Sequence, residues 1–238
     1  MSRKLFLSAL VLFVLICAAP AHATTIVASG AGPLPGSAED LTSVVNLSEI
    51  LGTVDFPLGV DMFKIDITNA ADFSAITNPV AFGVPDTELF LFDSTGLGVY
   101  GNDDISFSNT LSCLPSADSG NPCVSSRPAG VGPITDGDYY LAVTRSANDP
   151  QSSGGNIFSE ILSTDVTGPD LTLGGGSPIT GWDNNVFTGP DFDLINFDIT
   201  LTGTAPVITP EPSTWVLLLA GLLFISLRRT RLAHPPAV

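Results

Sequence analysis

Between residues 24 and 207 the apolar positions recur every second residue. Across Asp61 to Thr68, Phe63, Ile65 and Ile67 alternate with Lys64, Asp66 and Thr68, the period of a strand with one face in a core. Ile195, Phe197, Ile199 and Leu201 alternate with Asn196, Asp198, Thr200 and Thr202 in the same way. Thr87 to Phe92 is apolar on both faces apart from Thr87 and Glu88, so it belongs in the middle of a sheet. Tyr139 to Thr144 forms another strand after the turn residues Asp136-Gly137-Asp138. No stretch here carries the 3.6-residue period of an amphipathic helix, and Gly and Pro interrupt the region throughout. The pattern predicts an all-β fold, an antiparallel β-sandwich of jelly-roll type over 24–207.

Both ends depart from this alternation and are continuously apolar. Ser2, Arg3 and Lys4 precede the apolar run Leu5 to Cys17, and Ala21-His22-Ala23 supplies small residues for cleavage. Residues 1–23 therefore read as a helical secretory signal peptide, handled by the secretion translocon and signal peptidase, with a mature start at Thr24. At the other end, 208–238 holds Pro210-Glu211-Pro212, the uncharged stretch Ser213 to Leu227, and then Arg228, Arg229 and Arg231. As a helix that stretch covers roughly 22 Å, short of the ~30 Å hydrocarbon core unless its flanks contribute. Trp215 suits the headgroup boundary, and the arginines direct the tail to the cytoplasm and everything before it across the membrane.

This arrangement of Pro-Glu-Pro motif, short transmembrane helix and basic stop resembles the PEP-type C-terminal sorting signal read by exosortases of Gram-negative, exopolysaccharide-producing bacteria. The resemblance implies an exosortase-type membrane protease or transpeptidase as partner, processing near Pro210, Glu211 and Pro212, and transit through the inner membrane to the cell surface or extracellular matrix.

Composition sharpens the picture once both ends are set aside. Of the eight basic residues only Lys64, Arg127 and Arg145 remain, against every acid except Glu211, leaving 23 acids over 3 bases and a formal charge of −20. Such a surface repels nucleic acid and attracts divalent cations. Both histidines, His22 and His234, fall in the ends. That excludes histidine-activated serine or cysteine catalysis and histidine-ligated zinc or copper. A carboxylate-only enzyme is not expected either, because Trp182 is the sole tryptophan outside the sorting segment to line a sugar cleft. Cys113 and Cys123 are the only cysteines left after processing. In an oxidising compartment the isolated pair predicts one disulfide.

Three internal segments carry a second resemblance: Val60-Asp61-Met62-Phe63-Lys64-Ile65, Asp86 to Phe92 with its Asp93-Ser94-Thr95-Gly96 turn and following Asn102-Asp103-Asp104, and Gly137-Asp138-Tyr139-Tyr140-Leu141. They resemble the bacterial pre-peptidase C-terminal-type β-sandwich over about Asp61 to Thr144. Against that compact pattern, Ser106 to Thr135 and Arg145 to Pro190 read as long inserted loops. Some members of that family bind calcium or polymers. Closure of the hairpin would converge Asp86, Asp93, Asn102, Asp103 and Asp104 as oxygen ligands for calcium, while the same residues equally serve as turn builders. Trp182, in Thr180-Gly181-Trp182-Asp183-Asn184-Asn185, is a candidate glycan contact. The sequence thus predicts an exported protein with a structural or adhesive role in an exopolysaccharide or biofilm matrix. The alternative is a calcium-dependent carbohydrate- or polymer-binding module.

Overall fold

The computed structural model describes residues 22–55, 59–81, 84–117, 123, 126–159, 164–184 and 194–204. The predicted signal helix, the short C-terminal helix and the sorting residues Pro210, Glu211, Pro212, Arg228, Arg229 and Arg231 lie outside them, save His22 and Ala23. No helix among the described residues is long and apolar enough to cross a membrane. One compact unit runs over Ala23–Val207.

That unit is all-β. Its strands are β1 (Thr24–Val27), β2 (Glu39–Asp40), β3 (Leu47–Asp55), β4 (Val60–Ile67), β5 (Ser74–Thr77), β6 (Thr87–Asp93) and β7 (Gly98–Asn102). They continue with β8 (Cys113–Leu114), β9 (Gly137–Arg145), β10 (Pro150–Ser152), β11 (Gly155–Asn156), β12 (Ile179–Trp182) and β13 (Leu194–Thr202). One five-stranded sheet has the order β1-β3-β13-β5-β8, the second β2-β4-β9-β6-β7, and a small third sheet β11-β10-β12.

The strands expected from alternation form as β4 and β13, the one apolar on both faces as β6, and the one after the Asp136-Gly137-Asp138 turn as β9. The sheets are mixed, however, and not purely antiparallel, because β1 runs parallel to β3 and β2 parallel to β4. Each of these edge strands is separated from its partner by an excursion through the opposite sheet, which returns the chain in the same direction. Alternation encodes the face of a strand and not its direction, so this feature has no sequence signature.

Two cores result. Between the large sheets, Ile50, Phe63, Ile65, Phe73, Leu89, Leu91, Leu141, Val143, Phe197 and Ile199 form a continuous buried cluster. Phe63 and Phe197 meet edge to face across it, with ring centroids 6.1 Å apart. On the other face of β4, β6 and β9, the alternate residues Met62, Phe90, Phe92 and Ala142 are buried under Ile157, Phe158, Ile179 and Trp182. The stretch expected to be a long inserted loop from Arg145 therefore supplies β10, β11 and β12 and covers the outer face of the second sheet. This is why Thr87 to Phe92 is apolar on both sides.

The expected disulfide between Cys113 and Cys123 is present, with Cα atoms 5.6 Å apart. Cys113 lies in β8, which pairs with β5 at the edge of the first sheet.

Candidate cation site

The acidic residues gather where β6 begins. Register brings this about: β6 and β7 pair Leu89 with Asn102 and Phe90 with Gly101, so one step further Asp103 arrives beside Glu88. Glu88 also pairs with Thr144 of β9 on its other side, and β9 leads directly into Ser146, Ala147 and Asn148. The strand turns Asp86 and Glu88 to the same face, being two residues apart.

Asp86, Asp103 and Asp104 each place a carboxylate oxygen within 4.8 Å of the other two. Glu88 is not one of that trio but feels the charge of Asp103; it is only 1% exposed, and its Oε1 accepts the Ala147 N–H at 2.9 Å. To make that donation Ala147 adopts a φ of 66°, a left-handed conformation uncommon for a residue with a Cβ. The Ser146 N–H bonds the Asp86 carbonyl at 3.2 Å. Three oxygens of this group, Glu88 Oε2, Asp103 Oδ1 and Asp104 Oδ1, are buried with no hydrogen-bond partner in the protein.

Electrostatics follow from that geometry. Burial pushes the Glu88 carboxyl well above the usual range, and the charges of Asp103 and Asp149 push it further, against hydrogen bonds from the Ala147 and Asn148 backbone. Burial, then Asp104 and Asp86, push Asp103 up to about 7, although the Ser146 hydroxyl works the other way. Asp104 is raised by burial and then by Asp86. Asp86 is raised by burial, opposed by the Ser146 hydroxyl and then by the Arg145 guanidinium. A divalent cation reverses this balance, since it neutralises the repulsion and takes up the unpaired oxygens. The donors are all oxygen, the type calcium prefers, and two oxygens on opposite sides of a calcium ion at ~2.4 Å each stand about 4.8 Å apart.

Of the five residues the sequence offered for calcium, the fold unites Asp86, Asp103 and Asp104 only. Asp93 sits at the far end of β6, about 23 Å along the strand at ~3.3 Å per residue. Its Oδ1 accepts from Thr95 N at 2.8 Å, Thr95 Oγ1 at 2.7 Å and Leu97 N at 3.0 Å, which is a turn-building role. Asn102 is buried and spent on the backbone: Oδ1 accepts from Cys113 N at 2.8 Å and Nδ2 donates to the Asp104 carbonyl at 3.2 Å. Glu88 was not among the five, although an acid two residues after Asp86 in an otherwise apolar strand was the available signal. Trp182 does not offer a free face to a sugar. It is 9% exposed, packs edge to face on Phe90 and Phe92, and donates its indole N–H to the Pro33 carbonyl at 2.7 Å. No protein-family model and no curated protein matches the chain.

Proposed function

We propose that this chain is an exported, acidic β-sandwich with a structural or adhesive role in an exopolysaccharide matrix, and that calcium held by Asp86, Asp103 and Asp104, with the Glu88 charge close by, fastens one end of the sandwich. The observation that carries the calcium reading is the set of three buried, unpaired oxygens on three adjacent acids. Leaving a buried polar atom unmade costs on the order of 1–3 kcal/mol, more for a charged group. A fold that repeats the cost three times in one place has a ligand to offset it. Export rests on the leader and the PEP-type tail, with support from the Cys113–Cys123 disulfide, which suits an oxidising compartment. The secretion translocon and signal peptidase, followed by an exosortase-type protease, are the partners of that route.

Two measurements test the halves separately. Calorimetry of the mature protein stripped with EDTA should show a higher melting temperature on adding millimolar calcium; an unchanged curve refutes the cation site. Mass spectrometry of protein recovered from cells should place its C-terminus near Glu211, and an intact Val238 refutes the sorting half.

A further inference from the structure

The outer edges of the two large sheets are protected unequally. β2 is two residues long and both are acids, Glu39 and Asp40. β8 is also two residues, one of them Cys113 of the disulfide. β7 is covered at Gly101, which exchanges two backbone bonds with Thr167, at 2.9 and 3.0 Å. Short length, charge and a covering segment are the devices that keep a sheet edge from pairing with another chain. Among the described residues β1 has neither charge nor cover on its outer side. Thr24, Thr25, Ile26 and Val27 are all β-branched, and Val27 is 69% exposed.

This edge is firmly placed. The Thr24 N–H bonds the Asn46 carbonyl at 2.8 Å and the Ala28 N–H bonds the Leu51 carbonyl at 2.7 Å, so every second residue faces β3. Past Ala28, the Ser29 N–H and hydroxyl both bond Glu39, at 2.9 and 3.2 Å. Thr25 and Val27 alternate with the bonded positions, and their N–H and C=O groups point away from β3. Two donors and two acceptors therefore stand in line for one more strand.

Charge selects the partner. With 23 acids against 3 bases between Thr24 and Thr209, copies of the domain repel one another over most of their surface. Thr24 to Ala38, 15 residues, is the longest run in that span with no charged residue, so two copies meet with least repulsion here. The edge is also its own complement. About a two-fold axis at Ile26, Thr25 of one copy exchanges both its bonds with Val27 of the other, and Val27 with Thr25, leaving none of these groups unpaired.

We propose that β1 is a self-pairing edge, through which two copies of this chain join their five-stranded β1-β3-β13-β5-β8 sheets, antiparallel, into one sheet of ten strands. The joint makes no use of calcium and stands apart from the cation site.

Sedimentation velocity and amide exchange of the mature protein in EDTA, from about 10 µM to 1 mM, test it; the range runs high because so small an interface is weak. The sedimenting mass should double as concentration rises, and exchange at the Thr25 and Val27 amides should slow in step. Val27→Pro removes an N–H that points away from β3, so it should melt within a few degrees of the parent and stay a single copy throughout. Val27→Asp, at an exposed position, keeps the N–H but adds an acid to each side of the joint, and should weaken association about tenfold or more. A parent that remains a single copy at the top of the range overturns the proposal. So does a dimer that persists in folded Val27→Pro, or one that leaves the Thr25 and Val27 amides unprotected, since another surface then holds it. Protection of those amides that does not change with concentration overturns it too, because the edge is then covered within one copy.

Discussion

Replacing Glu88 by glutamine separates the two consequences of a buried acid, because they have opposite signs. The amide keeps the shape and the Oε1 that accepts the Ala147 N–H, so little packing is disturbed. In calcium-free protein, Glu88 is raised well above its ordinary value of 4.5 by burial, then by Asp103 and Asp149. Below that ordinary value both folded and unfolded chains hold the proton, and the group leaves stability unchanged. Above it the unfolded chain ionises while the folded chain stays neutral, so folding loses free energy as pH rises. Asp103, pushed from 3.8 up to about 7, adds to the decline between those two values. Glu88→Gln removes one contributor, and the calcium-free variant should match the parent at pH 4 and exceed its stability at pH 7.5. Calcium reverses the ranking. Extracellular calcium modules bind at about 10⁻⁴–10⁻³ M, which at roughly 5 mM calcium contributes ~1–2.3 kcal/mol. For a domain of this size that raises the melting temperature by ~2–9 °C. A tenfold weaker site retains only about 0.2–1 kcal/mol of it. Calorimetry of both proteins, in EDTA and in calcium, at pH 4 and pH 7.5, reads all of these quantities. A calcium-free variant less stable than the parent at pH 7.5, or an unreduced calcium increment, would show that Glu88 does not face the cation.

Other parts of the fold give independent tests. Removing the disulfide with paired Cys113→Ala and Cys123→Ala, which frees a closure of ten residues, should cost about 3 kcal/mol in denaturant unfolding; a loss under about 0.5 kcal/mol would mean the unfolded state is already constrained there. Gly203 has a φ of +72°, and a Cβ on it would lie 2.6 Å from the Asn69 carbonyl oxygen and 2.7 Å from Phe73 Cα. Its own carbonyl holds the Thr68 and Asn69 N–H groups at 2.8 and 3.0 Å, so the backbone has little freedom to yield. Gly203→Ala should destabilise by about 2–3 kcal/mol, and a thermal melt within a degree of the parent contradicts that. Trp182→Phe deletes the bond to the Pro33 carbonyl and should cost about 1–2 kcal/mol in denaturant unfolding, and an unchanged midpoint contradicts that.

The sandwich itself was legible wherever a strand is long enough for alternation to repeat. β4 and β13 announce themselves because each carries less buried polar residues between the buried apolar ones, and β9 follows a clear turn. The outer layer was legible only as a demand: Phe90 and Phe92 are apolar on the face opposite Leu89 and Leu91, so something had to cover them. The cover comes from Ile157 and Phe158, just past the two-residue β11, and from Ile179 and Trp182 at the ends of the four-residue β12. No period can be read over so few positions. The site divides along the same line. Asp103 and Asp104 could be placed beside Asp86 from one hairpin, since pairing in a two-stranded unit is local. Asp93 could not be ruled out without register, because a strand carries its two ends about 20 Å apart whatever their closeness in sequence.

Glu88 is the instructive case, since its surroundings argue against an acid. A strand selected only for packing would carry valine or isoleucine opposite Thr144, where the flanking residues are wholly buried. An acid there lowers the stability of the calcium-free fold, and its second oxygen has no partner in the protein. The neighbouring Asp103 and Asp149 compound the repulsion instead of relieving it. The calcium proposed for this place would supply positive charge to offset that repulsion. The two bases bonded elsewhere, Lys64 to Asp138 and Arg127 to the Ala70 and Pro133 carbonyls, leave Arg145 as the lone cationic side chain acting on the cluster among the described residues, and its influence reaches Asp86. The excess of acid over base and the unpaired oxygens of Glu88, Asp103 and Asp104 fall in the same place, which is the ground for the proposed cation.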